Sequence, residues 1–493
     1  MRVRPFVRRG LILALASLMA IQPTAAQLNL TLPDLGDSSQ SGLSPAQERK
    51  IGEEVMREIR FQEVSYLDDA EIEDYLNTLG NRLVSATSLR GQDFTFFVLK
   101  DPSINAFAMP GGYIGVHTGL LTAAQSESEL ASVLAHEIGH VEQRHIARQM
   151  ALQANATVTM LASLLVAILA SRVPNSQMSE AAVVAGQAAA IQNQLSYSRD
   201  FEREADRVGF QTLDAAGFDV QGMPAFFERL QRANRLNEGN APSYLRTHPL
   251  TIDRIADMQN RAQNVKYRQV VDSPEFTLVR TKLDAQVGTP AEAVARYTAR
   301  NGSRQQDQLI KSYGLTRAQL RANAPQEAAR ALEGLRALKV ASPMIDGLAA
   351  EVASAQGKYA DAARICRDGR AHFPRSHALL YCEIDAYLDG KAPQQALDML
   401  RDLTFNSQDD RLYAFQARAY EALNQPAQQH RALAEMYVLR GNVPAAIDQL
   451  RIAQKSGGGD YYEQASIDAR LRELRARQME DKKGKDGRDA DRG

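Results

Sequence analysis

SESELASVLAHEIGHVEQRHI, residues 126–146, is the stretch on which the fold of the N-terminal half turns. Ser126 and Glu129 have the spacing of a capping box, and Leu130, Val133, Leu134 and Val141 form an apolar stripe at helical period. The pattern predicts one long helix from Ser126 to Gln153. His136-Glu137-Ile138-Gly139-His140 lies inside it. At about 100° per residue, positions four apart share a face, so both imidazoles can point at one ion. Glu137 is offset enough to miss that ion and still reach a water on it. Zinc hydrolysis needs this arrangement: the ion lowers the pKa of its water and polarises a carbonyl, and a carboxylate takes the proton and later delivers it to the leaving amine. A core helix that carries two histidines is the competing reading.

A third ligand must come from elsewhere in the chain. His145 is five residues beyond His140, and on a continuous helix that is a rotation of about 140°, away from the ion. A three-histidine site would need its last histidine at position 146, which is Ile146. The better source is the run Ser198 to Asp206, where Glu202 and Asp206 are four apart and share a face while Glu204 is turned away. Such a pair can complete a His-His-Glu zinc site and orient a ligand imidazole.

Outward from the motif, Phe94 to Leu99 is a short β-type run, followed by Asn105-Ala106-Phe107-Ala108. Pro110-Gly111-Gly112 then turns the chain into Tyr113-Ile114-Gly115-Val116, which predicts a small sheet just before the motif helix. Ser44-Pro45 marks a helix start, and helical patterning holds from there to about Leu89. Downstream, Ala156 to Ala170 is apolar but shorter than the roughly 20 residues a spanning helix needs. It fits, in order of preference, a buried helix, a lid over the cleft, or a segment in peripheral membrane contact. A second functional helix is expected from about Ser196 to Ala216, with Gly217 beyond its end.

The C-terminal half has another grammar. Ala293, Ala328, Ala362 and Ala396 are separated by 35, 34 and 34 residues in matching contexts, from Thr289-Pro290-Ala291-Glu292 to Ala392-Pro393-Gln394-Gln395. A period near 34 is that of tetratricopeptide repeats, helix pairs that stack into a solenoid. From Glu480 the chain is mostly Lys, Asp, Gly and Arg and is expected to be disordered.

Composition narrows the function classes. With 58 basic and 59 acidic residues, the net charge of -1 argues against a nucleic-acid partner. Arg2, Arg4, Arg8 and Arg9, the apolar run Leu11–Ile21 and the small residues before Gln27 form a cleavable export signal, with cleavage expected after Ala26. Cys366 and Cys382 are the two cysteines; a bridge and two buried thiols both remain open.

Taken in order, His136 to His140, Glu202 to Asp206, and Thr247-His248-Pro249 followed by Asp253-Arg254-Ile255 resemble the signatures of the HtpX and CAAX prenyl protease family of zinc peptidases. With an export signal in front and repeats behind, the chain resembles the periplasmic branch of that family. The resemblance implies one zinc ion per chain held by His136, His140 and Glu202, with Glu137 as general base and Asp206 behind a ligand. It also implies an edge strand, Asn105, Ala106, Phe107 and Ala108, that pairs with an extended peptide substrate. His248 has two readings: a donor to the tetrahedral oxyanion, or an occupant of the fourth zinc position that keeps the enzyme latent. The second is what the resemblance suggests. Arg254 is expected to support Asp206 or the substrate.

The expected fold is mainly α (α+β): a zincin-like metallopeptidase domain with a small β-sheet, followed by an α-solenoid. The expected divisions are a signal peptide at 1–26, a flexible lead-in at 27–44, the peptidase at 45–268, the repeats at 269–475 and a charged tail at 476–493. The expected function is an exported metalloendopeptidase of the periplasm acting on misfolded or misassembled envelope proteins, its repeats binding clients or outer-membrane assembly machinery. The alternative is a chaperone or adaptor in which the repeats act and the zinc site is latent.

Overall fold

The computed structural model describes residues 43–152, 198–236, 243–457 and 461–490. The expected export signal, most of the lead-in and the apolar segment 156–170 lie outside these residues.

Helix α1 (Pro45–Gln62) opens with a reciprocal capping box between Ser44 and Gln47, with Pro45 at its first position. Helix α2 (Ala70–Val84) is capped by Asp69, whose side chain accepts from the N–H groups of Glu71 and Ile72. Strands β1 (Thr95–Leu99), β2 (Ala106–Met109) and β3 (Tyr113–His117) form a sheet of order β1-β3-β2. The central β3 runs parallel to β1 and antiparallel to β2. Gly111 and Gly112, at φ 78° and 83°, make the tight β2–β3 turn. The sheet, with β2 at one edge, is as the sequence predicts.

Helices α3 (Thr118–Ala123), α4 (Glu127–Glu142) and α5 (His145–Leu152) follow. The single helix expected from Ser126 to Gln153 is therefore two, and this is a correction. The chain breaks at Arg144, which adopts φ 51°, and its guanidinium donates to the Leu43 carbonyl and the Glu48 carboxylate. Tertiary anchoring to the start of α1 thus sets a left-handed residue that an arginine would not choose unaided. Helix α6 (Arg199–Ala215), capped by Ser198, crosses α4. Helices α7 (Gly222–Leu236), α8 (Ser243–Thr247) and α9 (Ile252–Gln263) complete this half. Leu76, Phe96, Ile114, Leu134, Leu213, Phe226 and Met258 share one core, and a second lies between α1 and the sheet around Ile51, Val55 and Phe97. At roughly 1.5–3 kcal/mol for each such side chain, the first core holds α4 against the sheet and α6 against α4.

After α10 (Pro274–Asp284) come five helix pairs: α11 (Pro290–Ala299) with α12 (Gln305–Arg321), α13 (Pro325–Ala337) with α14 (Pro343–Ala355), α15 (Tyr359–His372) with α16 (His377–Asp389), α17 (Pro393–Leu403) with α18 (Asp410–Ala422), and α19 (Pro426–Leu439) with α20 (Val443–Ser456). The first helices of the first four pairs start 35, 34 and 34 residues apart. The fourth residue of each, Ala293, Ala328, Ala362 and Ala396, is fully buried. A small side chain there lets the partner helix approach, which is why alanine carries the period. Cys366 on α15 and Cys382 on α16 are bonded, with Cα atoms 6.0 Å apart, and staple one pair.

Helix α21 (Tyr461–Ala490) corrects the expected tail: the charged segment continues as helix to Ala490. Buried Ile467, Leu471 and Leu474 seat its first half against α20, and a seated helix propagates at little cost through Lys-, Arg- and Glu-rich sequence. The repeats also fold back on α2. Asp74 accepts from the Ala378 N–H at 3.0 Å and the Ser376 hydroxyl at 3.1 Å, and Glu73 pairs with Arg411 at 2.8 Å. Among the described residues no helix is long and apolar enough to cross a membrane.

Candidate active site

Two close approaches build the site. An added methyl on Gly139 of α4 would stand 2.9 Å from the Ala205 carbonyl oxygen of α6, and one on Gly209 would stand 2.9 Å from the His136 nitrogen. Glycine at both crossings lets the helices meet at backbone distance, and their facing side chains converge.

What converges is His136 and His140 from α4, Glu202 from α6 and His248 just after α8. Each is almost fully buried, and each offers one ligand atom within 4.8 Å of the others. His136 Nε2 and His140 Nε2 are 3.0 Å apart, and Glu202 oxygens lie 3.5 Å from each imidazole. His248 Nδ1 stands 2.9 Å from Glu202 Oε1 and 3.4 Å from His136 Nε2. Several nitrogen lone pairs and a carboxylate directed at one small buried volume repel one another, and a shared cation relieves that repulsion. The donor set therefore fits a divalent ion that takes imidazole and carboxylate.

Glu137 is completely buried, and neither of its carboxylate oxygens accepts a hydrogen bond from the described residues. His248 Nε2 is 3.6 Å from Glu137 Oε1. A dry carboxylate without a hydrogen bond costs several kcal/mol in an ordinary core. Its place beside the donor cluster sets it apart from an ordinary core carboxylate.

Behind the donors stands a second set of charges. His136 Nδ1 is 2.9 Å from Asp206, and Arg254 clamps Asp206 through Nε and its second terminal nitrogen at 2.7 and 2.8 Å. The first terminal nitrogen of Arg254 reaches Glu202 Oε2 at 2.7 Å. Of the two expectations for Arg254, the fold realises the contact to Asp206, and adds Glu202. Burial works against a charge on His136, but Asp206 and Glu202 outweigh it and push this imidazolium up to about 10. Burial likewise opposes a charged Glu202, yet His248 and His136 hold its carboxyl well below the usual range.

The edge strand lies close by. The Asn105 carbonyl accepts from the His117 N–H, so pairing to β3 begins one residue before β2. On the other edge, the Tyr244 N–H of α8 donates to the Ile104 carbonyl at 3.2 Å. Tyr244 stacks on His248 with ring centroids 4.5 Å apart, and its buried hydroxyl has no partner among the described residues. The segment that carries His248 therefore covers the start of the edge.

Sequence reasoning missed the partners of His140. Because the chain breaks at Arg144, His145 is not swung away but turns back so that its Nδ1 lies 2.8 Å from His140 Nδ1. Its Nε2 meets Glu204 at 3.1 Å, and Phe201 stacks on its ring at 4.5 Å. Glu204 does face away from the donors, as expected, but onto His145. Tyr244 was missed as well; its position one helical turn before His248 is the signal that could have found it.

Residues 71–262 match the model of Peptidase family M48. Over 479 residues the chain is 35% identical to a beta-barrel assembly-enhancing protease of Escherichia coli O157:H7, covering 95% of this chain and 97% of that one. A putative beta-barrel assembly-enhancing protease of Vibrio cholerae is 42% identical over 285 residues, 57% of each chain. The mitochondrial metalloendopeptidase OMA1 of Arabidopsis thaliana is 30% identical over 220 residues, 44% of this chain and 42% of that one. His136, Glu137, His140 and Glu202 fall within the matched stretch, and the chain belongs to peptidase family M48, as a metalloprotease of the same family as the beta-barrel assembly-enhancing proteases.

Proposed function

We propose that this metalloprotease is an exported zinc endopeptidase of the periplasm that hydrolyses misfolded or misassembled outer-membrane proteins. Residues 45–268 are the peptidase unit, and 269–475 are tetratricopeptide repeats that hold clients or the assembly machinery. The observation that carries the reading is the meeting of His136, His140 and Glu202 beside Glu137, a buried carboxylate with no hydrogen bond from the described residues. The export signal and the printed names of the long relatives support the compartment and the substrate class.

His136, His140 and Glu202 would hold the zinc, which when bound lowers the pKa of a water and polarises the scissile carbonyl. Glu137 takes the proton from the attacking water and returns it to the leaving amine. Asp206, itself fixed by Arg254, holds His136 in the tautomer that presents Nε2. An extended substrate pairs with the outer edge of Asn105 to Ala108, which asks little of its sequence. His248 is read as a latch. Its contacts to Glu202 and Glu137, and the hold of Tyr244 on Ile104, favour a closed state that yields only when α8 moves.

The test is metal content with casein cleavage in wild type, Glu137→Gln and His248→Ala. One zinc per chain, slow cutting by wild type, none by Glu137→Gln and faster cutting by His248→Ala is the expected set. Zinc without cleavage in any variant moves the function to the repeats, as a chaperone or adaptor. No zinc ends the proposal.

A further inference from the structure

The two ligand imidazoles of α4 are supported differently. His136 faces a carboxylate directly, whereas His140 faces another imidazole. His140 presents Nε2 toward His136 Nε2 and the other donors, so its proton sits on Nδ1. That N–H points at His145 Nδ1, 2.8 Å away, and must be donated to it. His145 is then neutral with its own proton on Nε2, which goes to Glu204 at 3.1 Å.

The ring of His145 is held on every side. It is fully buried, lies parallel to Phe201 at 4.5 Å and 9°, and is bonded at both nitrogens. Phe201 and Glu204 are one turn apart on α6, the helix that also carries Glu202. Arg148 of α5 closes the set, pairing with Glu204 at 2.8 Å and covering the outer face of Phe201 at 4.6 Å. The feature that delivers His145 is the left-handed residue Arg144, tied to Leu43 and Glu48. A continuous helix would have carried the ring about 140° round the axis.

We propose that His145 is a positioning residue of the metal centre: an imidazole relay, His140 to His145 to Glu204, that fixes the tautomer and ring plane of His140 and ties α4 to the α6 helix. The inference rests on the reading of His136, His140 and Glu202 as metal ligands. Outer partners of ligand histidines commonly govern metal affinity by 10–100-fold, and here that partner is a histidine rather than a carboxylate.

The experiment measures zinc affinity of the full chain by competition with a chromophoric chelator, without peptide substrate, in wild type, His145→Ala, His145→Asn and Glu204→Gln. Asn places an amide oxygen where Nδ1 stood and keeps an acceptor for His140. The expectation is a loss of about 10–100-fold for His145→Ala, recovery to within about threefold for His145→Asn, and an intermediate loss for Glu204→Gln. The d–d spectrum of the cobalt-loaded protein should shift in His145→Ala and return in His145→Asn. Wild-type affinity and spectrum in a folded His145→Ala would overturn the inference alone. Equal losses in the Ala and Asn variants would also overturn it, by reducing His145 to packing. Should His145→Ala not fold, Glu204→Gln decides, since its half-exposed side chain can change without emptying the core, and wild-type affinity there overturns the relay. A wild type that binds no zinc overturns both this inference and the metal reading beneath it.

Discussion

Gly209 of α6 lies so close to α4 that an added methyl would stand 2.9 Å from the backbone nitrogen of His136. The separation of the two helices is therefore set at the very residue that opens the metal motif. Gly209→Ala must push α6 outward, carrying Glu202 and Asp206 with it. Overpacking of this kind costs about 1–3 kcal/mol, and a shift of about 1 Å in a catalytic group can cost on the order of 100-fold in rate. Casein cleavage should therefore fall by about 100-fold while the variant remains folded by circular dichroism. Near-normal cleavage would show that the crossing has slack.

Arg254 joins two carboxylates of one helix. It reaches Asp206 with two nitrogens and Glu202 with a third, and it is almost wholly buried. Removing one member of such a set strands charge in the core, at a cost of about 3–5 kcal/mol. Arg254→Ala should lower stability to urea by that order, and Arg254→Lys by less, since an ammonium cannot repeat the fork. Both should weaken zinc binding through Asp206 and His136. Full stability in Arg254→Ala would mean that the pair contributes nothing net.

How much of this was legible beforehand depended on whether local sequence or distant contact set the conformation. The short strand Ala106–Met109, the helix that carries Glu202 and the buried alanines at period 34 follow from residues within a few positions of themselves. The face shared by Glu202 and Asp206 needed only helical geometry. The break at Arg144 is different, because it is imposed by Leu43 and Glu48, about one hundred positions away, on a residue with no preference for left-handed backbone. Extending the helix through it placed His145 on the wrong side. The helical continuation from Leu474 to Ala490 was lost in the same way: composition suggested a tail, but the seat on α20 could not be read from the tail itself.

One contact between the repeats and α2 carries a pH signature. His377 stands 2.9 Å from Asp74, and that hydrogen bond raises the imidazole above its ordinary pKa, against a smaller effect of burial. A raised folded-state pKa means that the contribution is complete below about pH 6.5, the unfolded value, and is lost as pH rises through the folded value. The side chain of His377 is 65% exposed, so the effect is discounted to about 0.3–1 kcal/mol. His377→Gln should thus be less stable than wild type near pH 5.5, and the gap should narrow near pH 8.5. A gap of the same size at both values would show that the pair is not charged.

The deeper tie between the halves is Glu71. Lys282 and Arg317 both bond its Oε2, at 2.6 and 2.7 Å, while Lys282 also holds Asp69 and Arg317 also holds Glu351. Glu71 belongs to α2 of the peptidase half, whereas both cations belong to the helical array, so one buried carboxylate fastens the array to the peptidase. Glu71→Ala leaves two cations with half their partners and should cost about 3–5 kcal/mol. The exposed pair Arg330–Glu327, with side chains 73% and 47% exposed, is the control, and Glu327→Ala should change stability by no more than about 0.5 kcal/mol. Urea unfolding followed by limited proteolysis separates the cases, since Glu71→Ala should also free cleavage between the halves at urea concentrations where wild type is resistant. If the two substitutions cost the same, the network is no more than a set of surface pairs, and the apolar contacts around it must hold the halves together.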